Sequence, residues 1–124
     1  MDKIKLGIFL LIVVIGVAIV GFWWWQNYQP NKLDSFAMCL KDKGAKFYGA
    51  FWCSHCQNQK ALFGGAKRFL PYIECSAPSG KSQLKLCADA NIEGYPTWEF
   101  ADGLRQGGEM SLQALSEKTG CQLP

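Results

Sequence analysis

Cys53 and Cys56 frame the stretch Phe51-Trp52-Cys53-Ser54-His55-Cys56-Gln57, and two thiols at this spacing can close a small disulfide ring at a helix start. There the first sulfur meets unpaired backbone N–H groups and the positive end of the helix dipole, which favour its thiolate. A protonated His55 adds a second positive neighbour. A thiolate stabilised in this way makes the corresponding disulfide a better oxidant. Zinc knuckles, haem attachment and inert structural loops share the C-x-x-C spacing. A c-type haem needs histidine directly after the second cysteine, where this chain has Gln57. Zinc would need Cys75 and Cys87 as its second pair, and eleven residues separate them, whereas zinc knuckles are tightly spaced. The expected cofactor list is therefore empty apart from the redox-active disulfide, with no metal.

The elements that must position this pair can be read from periodicity and punctuation. Ala45 to Trp52 is a largely apolar run that reads as a buried strand and delivers Cys53 to its C-terminal edge. From Cys56 to about Phe69 the apolar spacing is helical, with Gly64-Gly65 expected to weaken or kink it. Ahead of the strand, Asp34 or Ser35 can cap a helix that stops near Gly44. After it come a short strand at Pro71–Cys75, a turn-rich loop at 76–80, and a helix at 82–90 with Leu84, Leu86 and Cys87 inward. Gly94–Phe100 reads as a strand, Ala101-Asp102-Gly103 as a hairpin turn and Leu104–Gly107 as the return strand. Ser111 caps a last helix that Gly120 closes. The order α-β-α-β-α-β-β-α implies an α/β domain with a mixed central sheet and flanking helices.

The first thirty residues have a different composition. Residues 1–5 form a charged tip, and residues 6–25 run without a charge, long enough to span the ~30 Å hydrocarbon core of a bilayer. Trp23, Trp24 and Trp25, followed by Tyr28, stand where amphipathic rings favour the headgroup region. A buried core helix would need a polar face, and a cleaved signal peptide would need a small-x-small site after a shorter apolar stretch. The expected reading is an uncleaved single-pass signal-anchor, with residues 26–33 as linker and 34–124 as the domain. Lys3 and Lys5 precede the span and only Lys32 follows closely, so the N-terminus is expected in the cytoplasm and the domain outside it. All six cysteines lie beyond the anchor, a density that suits an oxidising compartment. Residues 33–124 carry ten Lys/Arg against nine Asp/Glu, a balance that gives no reason to expect nucleic acid.

Trp52-Cys53-Ser54-His55-Cys56 followed by Asn91-Ile92-Glu93-Gly94-Tyr95-Pro96-Thr97-Trp98-Glu99-Phe100 resembles the active-site entry and cis-proline strand of the thioredoxin-like fold. The resemblance covers residues 34–120, without an obvious first edge strand. Tyr48–Gln57, Tyr72-Ile73-Glu74-Cys75 and Gly94–Glu99 together look most like one group. This is the thioredoxin-like domain of bacterial and plant vitamin K epoxide reductase homologues, with its stand-alone membrane-anchored relatives. The resemblance implies disulfide exchange with substrate proteins at Cys53 and Cys56, and Trp52, Ser54 and His55 around them are expected to modulate it. It implies that Tyr95 and a cis Pro96 receive the client, and that electrons pass to a quinone-reducing membrane partner on a separate chain. Two positions depart from the family pattern. Ser54 stands where proline is usual, and Phe47 stands six before Cys53, where thioredoxins carry a buried acid. A relay for Cys56 is then missing, or uses Glu99 or water.

Within such a fold Cys75 ends a strand and Cys87 sits on the helix that folds back over the sheet, so these two are expected to pair. Cys39 on the first helix and Cys121 after the last head for the same end of the sheet and are expected to pair as well. A second redox pair at Cys75/Cys87 is the competing reading. The function expected is a membrane-anchored, extracytoplasmic thiol–disulfide oxidoreductase, working in the oxidising direction or relaying electrons to the membrane. A reductase or isomerase fed by a membrane donor is one alternative. A non-catalytic client-binding module at the Tyr95–Pro96 groove is the other.

Overall fold

The computed structural model describes residues 2–27 and 30–124, so the expectation for Tyr28 lies outside the described residues. The chain divides into two compact units, residues 1–30 and 31–124. The first is a single helix, α1 (Lys3–Asn27), exposed along its whole length. At ~1.5 Å per residue its 25 residues reach about 37 Å. It is long and apolar enough to cross a membrane and extends past the expected 6–25 at both ends.

The second unit is built on a four-stranded sheet in the order β2-β1-β3-β4. Its elements are α2 (Asp34–Asp42), β1 (Lys46–Gly49), α3 (Ser54–Ala61), a 3-10 helix (Gly64–Phe69), β2 (Tyr72–Glu74), α4 (Lys85–Asp89), β3 (Thr97–Glu99), β4 (Arg105–Gly107) and α5 (Leu112–Thr119). β1 pairs parallel with β2 and antiparallel with β3, which pairs antiparallel with β4. This is a thioredoxin-like fold. Alternation along β1 decides the layers: Phe47 points into one core with Phe36, Leu40, Phe63, Trp98 and Leu115, and Tyr48 into another with Cys75, Cys87 and Ile92. α2, α3 and α5 thus cover one face and α4 the other. Phe47 lies opposite both Tyr72 and Trp98. Its ring meets Tyr72 edge-on at 5.1 Å and stacks on Trp98 at 4.8 Å, forming an aromatic ladder across three strands.

Several boundaries differ from the sequence reading, each for a local reason. The strand stops at Gly49, because the chain turns at once (Cys53 N–H to Ala50 C=O, 3.0 Å). Phe51 and Trp52 are consequently half-exposed rather than buried. The expected helix to Phe69 ends at Ala61, and Gly64 at φ +53° starts the separate 3-10 turn. Gln83 is taken up by a bridge to Ser76, so α4 begins only at Lys85; Cys87 points inward but Leu86 faces solvent. Neither Asp34 nor Ser35 caps α2. The Asp34 carboxylate instead accepts from Asn31 N–H (3.1 Å) and from Arg68 Nη2 (2.9 Å). Asn31 Oδ1 also accepts from Leu33 N–H (2.9 Å), which draws the end of the expected linker into the domain. Ser111 accepts from Ala114 N–H and Gly120 adopts the left-handed conformation, so α5 carries both expected end signals.

At the other end of β3, Glu99 accepts from Lys46 Nζ (3.0 Å) on β1 and Arg105 Nη2 (2.6 Å) on β4. The Lys46 hydrogen bond, partly opposed by burial, holds the Glu99 carboxyl below its ordinary 4.5. A depressed folded value stabilises the domain above pH ~4.5, and that contribution is lost as pH falls through the lower folded value. Glu99→Gln is therefore expected to cost about 0.5–1 kcal/mol near pH 6, since Lys46 is half-exposed. The cost should shrink toward pH 3, as read from urea midpoints across that range. A cost that does not change with pH would refute the ionic origin.

Candidate active site

The turn after β1 places Cys53 at the N-cap of α3, with extended backbone (φ −79°, ψ 116°). Its sulfur accepts the Cys56 N–H at 3.3 Å. That puts a helix-terminal donor on the sulfur, an arrangement that favours a thiolate there. The Cys53 thiol also lies 3.7 Å from the Tyr95 carbonyl, directly before the cis Tyr95–Pro96 bond. Cys53 retains 7% of its surface and Cys56 none, so an incoming sulfur meets Cys53 first. Burial, and then the neighbouring Cys53, push the Cys56 thiol up to about 12.

Trp52 and Tyr95 form a wall beside Cys53. Their rings meet edge-on at 5.9 Å, and each is pinned by a polar tip. Trp52 Nε1 donates to Ser76 Oγ (2.9 Å), and Gln83 Nε2 donates to the Tyr95 hydroxyl (2.8 Å). With Gly80 these residues line a shallow cavity of about 150 Å³. Ser54 opens α3 at the surface. His55 is exposed, its Nδ1 2.7 Å from Glu109 Oε1, which also accepts from Asn58 Nδ2 (3.2 Å). These two contacts, His55 foremost, hold the Glu109 carboxyl below the usual range.

The other four cysteines are bridged as Cys39–Cys121 and Cys75–Cys87, with Cα separations of 5.9 and 5.6 Å. Cys53 and Cys56 are the free thiols among the described residues. Because Cys75 and Cys87 are bonded to each other and fully buried, they do not gather with Cys53 and Cys56 into a thiolate cluster. Glu99 belongs to the ionic ladder at the far end of β3, not to the surroundings of Cys56.

Five side chains that sequence reasoning did not place at the site are there. Glu109 holds His55. Gln59, fully buried on α3, binds the Met110 backbone at both its carbonyl (2.9 Å) and N–H (2.6 Å). Tyr72 and Lys60 stand near Cys56, and Glu74 accepts from the Tyr72 hydroxyl. Lys60 stands four residues after Cys56 on α3 and could have been found by helical spacing. The others depend on contacts between distant segments.

No protein-family model matches the chain. Over 93 residues it is 48% identical to the thiol-disulfide oxidoreductase LTO1 of Arabidopsis thaliana, covering 72% of this chain and 24% of that protein. Over 107 residues it is 28% identical to the thioredoxin domain-containing protein 5 homolog of Drosophila melanogaster, covering 74% of this chain and 25% of that protein. The chain thus spans about a quarter of the length of the curated relatives it matches. Fold and relatives agree in supporting a place for this chain in the thioredoxin-like superfamily.

Proposed function

We propose that this chain is a membrane-anchored thiol–disulfide oxidoreductase whose domain works outside the cytoplasm on the thiols of client proteins. One observation carries the reading: an unbridged cysteine pair at a helix N-terminus, its first sulfur facing the carbonyl before a cis proline. In the oxidising direction a client thiolate attacks Cys53 of the Cys53–Cys56 disulfide and forms a mixed disulfide. A second client thiol resolves it and leaves both site cysteines reduced. The backbone of Tyr95 pairs with an extended client segment, and the Trp52–Tyr95 wall receives a side chain beside it. α1 is the anchor, and reduced Cys53–Cys56 passes its electrons to a quinone-reducing membrane partner. The two structural disulfides, which suit an oxidising compartment, favour an oxidant over a reductase.

Cys56→Ala in cells is expected to trap clients on Cys53 as mixed disulfides visible on non-reducing gels, and Cys53→Ala is expected to trap none. Absence of trapped species, with normal client disulfides in Cys53→Ala cells, would leave only a binding module. Equilibration of the full chain in detergent with glutathione buffers settles direction. A potential above about −200 mV supports oxidation, and one near about −270 mV supports reduction.

A further inference from the structure

Exchange at this site requires Cys56 to lose and regain a proton in a place without solvent. Burial pushes the Cys56 thiol up, so its thiolate is scarce near neutral pH and a base beside it speeds the resolving step. Phe47 occupies the position where thioredoxins carry a buried acid, and Glu99 is tied up by Lys46 and Arg105. The space beside Cys56 is filled from β2 instead. A Cβ on Gly49 would stand 3.0 Å from Cys56 Sγ, 2.7 Å from Tyr72 Cε2 and 3.4 Å from Tyr72 Oη. The sulfur and the phenol therefore border the same small space, the one a Gly49 side chain would fill. Tyr72 Oη donates to Glu74 Oε2 at 2.7 Å, while Glu74 Oε1 accepts from Phe51 N–H (3.2 Å) and Ser76 N–H (2.9 Å). Lys60 Nζ sits 3.4 Å from the centroid of the Tyr72 ring, and its charge favours a Cys56 thiolate. Cys53, Lys60 and Tyr72 are thus ionisable neighbours of Cys56, and Glu74 is joined to them through the Tyr72 hydroxyl.

We propose that the Tyr72 hydroxyl relays the Cys56 proton to and from the Glu74 carboxylate, replacing the missing buried acid with a tyrosine–glutamate pair on β2. The inference rests on the exchange reading above. When a client is held on Cys53, the Cys56 proton passes to Tyr72 Oη as the tyrosine's own proton passes to Glu74 Oε2. The electron pair left on the Cys56 sulfur forms the bond to Cys53 Sγ. The Cys53–client S–S bond breaks, and the client sulfur departs as a thiolate. The cysteine pair is oxidised by two electrons, the client is reduced, and half-buried Glu74 releases its proton to water. In the oxidising direction the same steps run backwards. Tyr72 never ionises in this scheme, in keeping with burial and Glu74 both raising its value.

Tyr72→Phe removes the hydroxyl and keeps the ring against Phe47 and Lys60. The reduced full chain in detergent, mixed with dithionitrobenzoate in a stopped-flow instrument, releases one thionitrobenzoate when Cys53 attacks and a second when Cys56 closes the ring. In Tyr72→Phe the first phase is expected to keep its wild-type rate. The second should slow on the order of a hundredfold at pH 7, with the deficit closing as hydroxide takes over toward pH 10. Glu74→Gln should slow the second phase in the same pH-dependent way. A wild-type second phase in either variant, or a deficit that is constant across pH, overturns the relay. Failure of the wild-type chain to release a second thionitrobenzoate overturns the exchange reading and the relay with it.

Discussion

Replacing Cys39 and Cys121 together with alanine is expected to lower the unfolding free energy by about 4 kcal/mol. The bridge joins positions 82 apart, so it closes a loop containing most of residues 31–124. A cross-link acts chiefly by restricting the unfolded chain, and the restriction grows with the logarithm of loop length. The same relation assigns about 3 kcal/mol to Cys75–Cys87, whose separation is 12. Both bridges are largely buried, Cys121 at 1% exposure and Cys75 and Cys87 at none, so loss of packing separates them little. Urea unfolding of the full chain in detergent, followed by tryptophan fluorescence, should order the variants accordingly. If Cys75→Ala/Cys87→Ala is the weaker of the two, loop closure is not what distinguishes the bridges.

The sequence carries the layers of the fold in its alternation and its punctuation, and loses the site where distant segments meet. Phe47 and Tyr48 are both apolar, and a run of such residues signals a strand buried on both faces. Phe51 and Trp52 continue the same run, yet they leave the sheet after Ala50 and stand at the surface beside Cys53. Hydrophobicity cannot separate the two cases, because a client-facing wall and a core are built from the same residue types. Gly64-Gly65 was readable as a break because positive φ belongs to glycine. The position of Tyr72 beside Cys56 was not readable, since it follows from the register that sets Phe47 opposite Tyr72. Glu109 meets His55 across 54 positions, with no periodicity to announce it.

That register also explains why the unbridged cysteine pair has a firm base. Gly49 lies two residues after Phe47 and on the same face, so the space it leaves bare opens where the Tyr72 ring and Cys56 approach each other. The turn that follows is tied to β2 by Glu74, which accepts from Phe51 N–H. α3 is tied toward the opposite edge of the sheet by Gln59, which binds the Met110 backbone between β4 and α5. Cys56 and Gln59 stand three apart on one face of α3, so the contact that fixes the helix and the buried thiol are placed together.

Trp98 is where those ties converge, and Trp98→Ala is expected to cost about 3–5 kcal/mol. Its indole is fully buried, stacks on Phe47 with centroids 4.8 Å apart, and donates from Nε1 to Gln59 Oε1 at 3.3 Å. Truncation removes the β3 rung of the aromatic ladder and leaves a void that Phe47, held by Tyr72 on its other side, cannot close. Gln59 keeps its Met110 contacts, so the lost hydrogen bond should be the smaller part of the cost. Trp98→Phe separates the two contributions: it retains a ring against Phe47, removes the donor, and is expected to cost about half as much as the alanine variant. Chemical denaturation of both variants reads the difference. Equal losses in Trp98→Phe and Trp98→Ala would mean that the Gln59 hydrogen bond, rather than stacking across the sheet, holds α3 over β3.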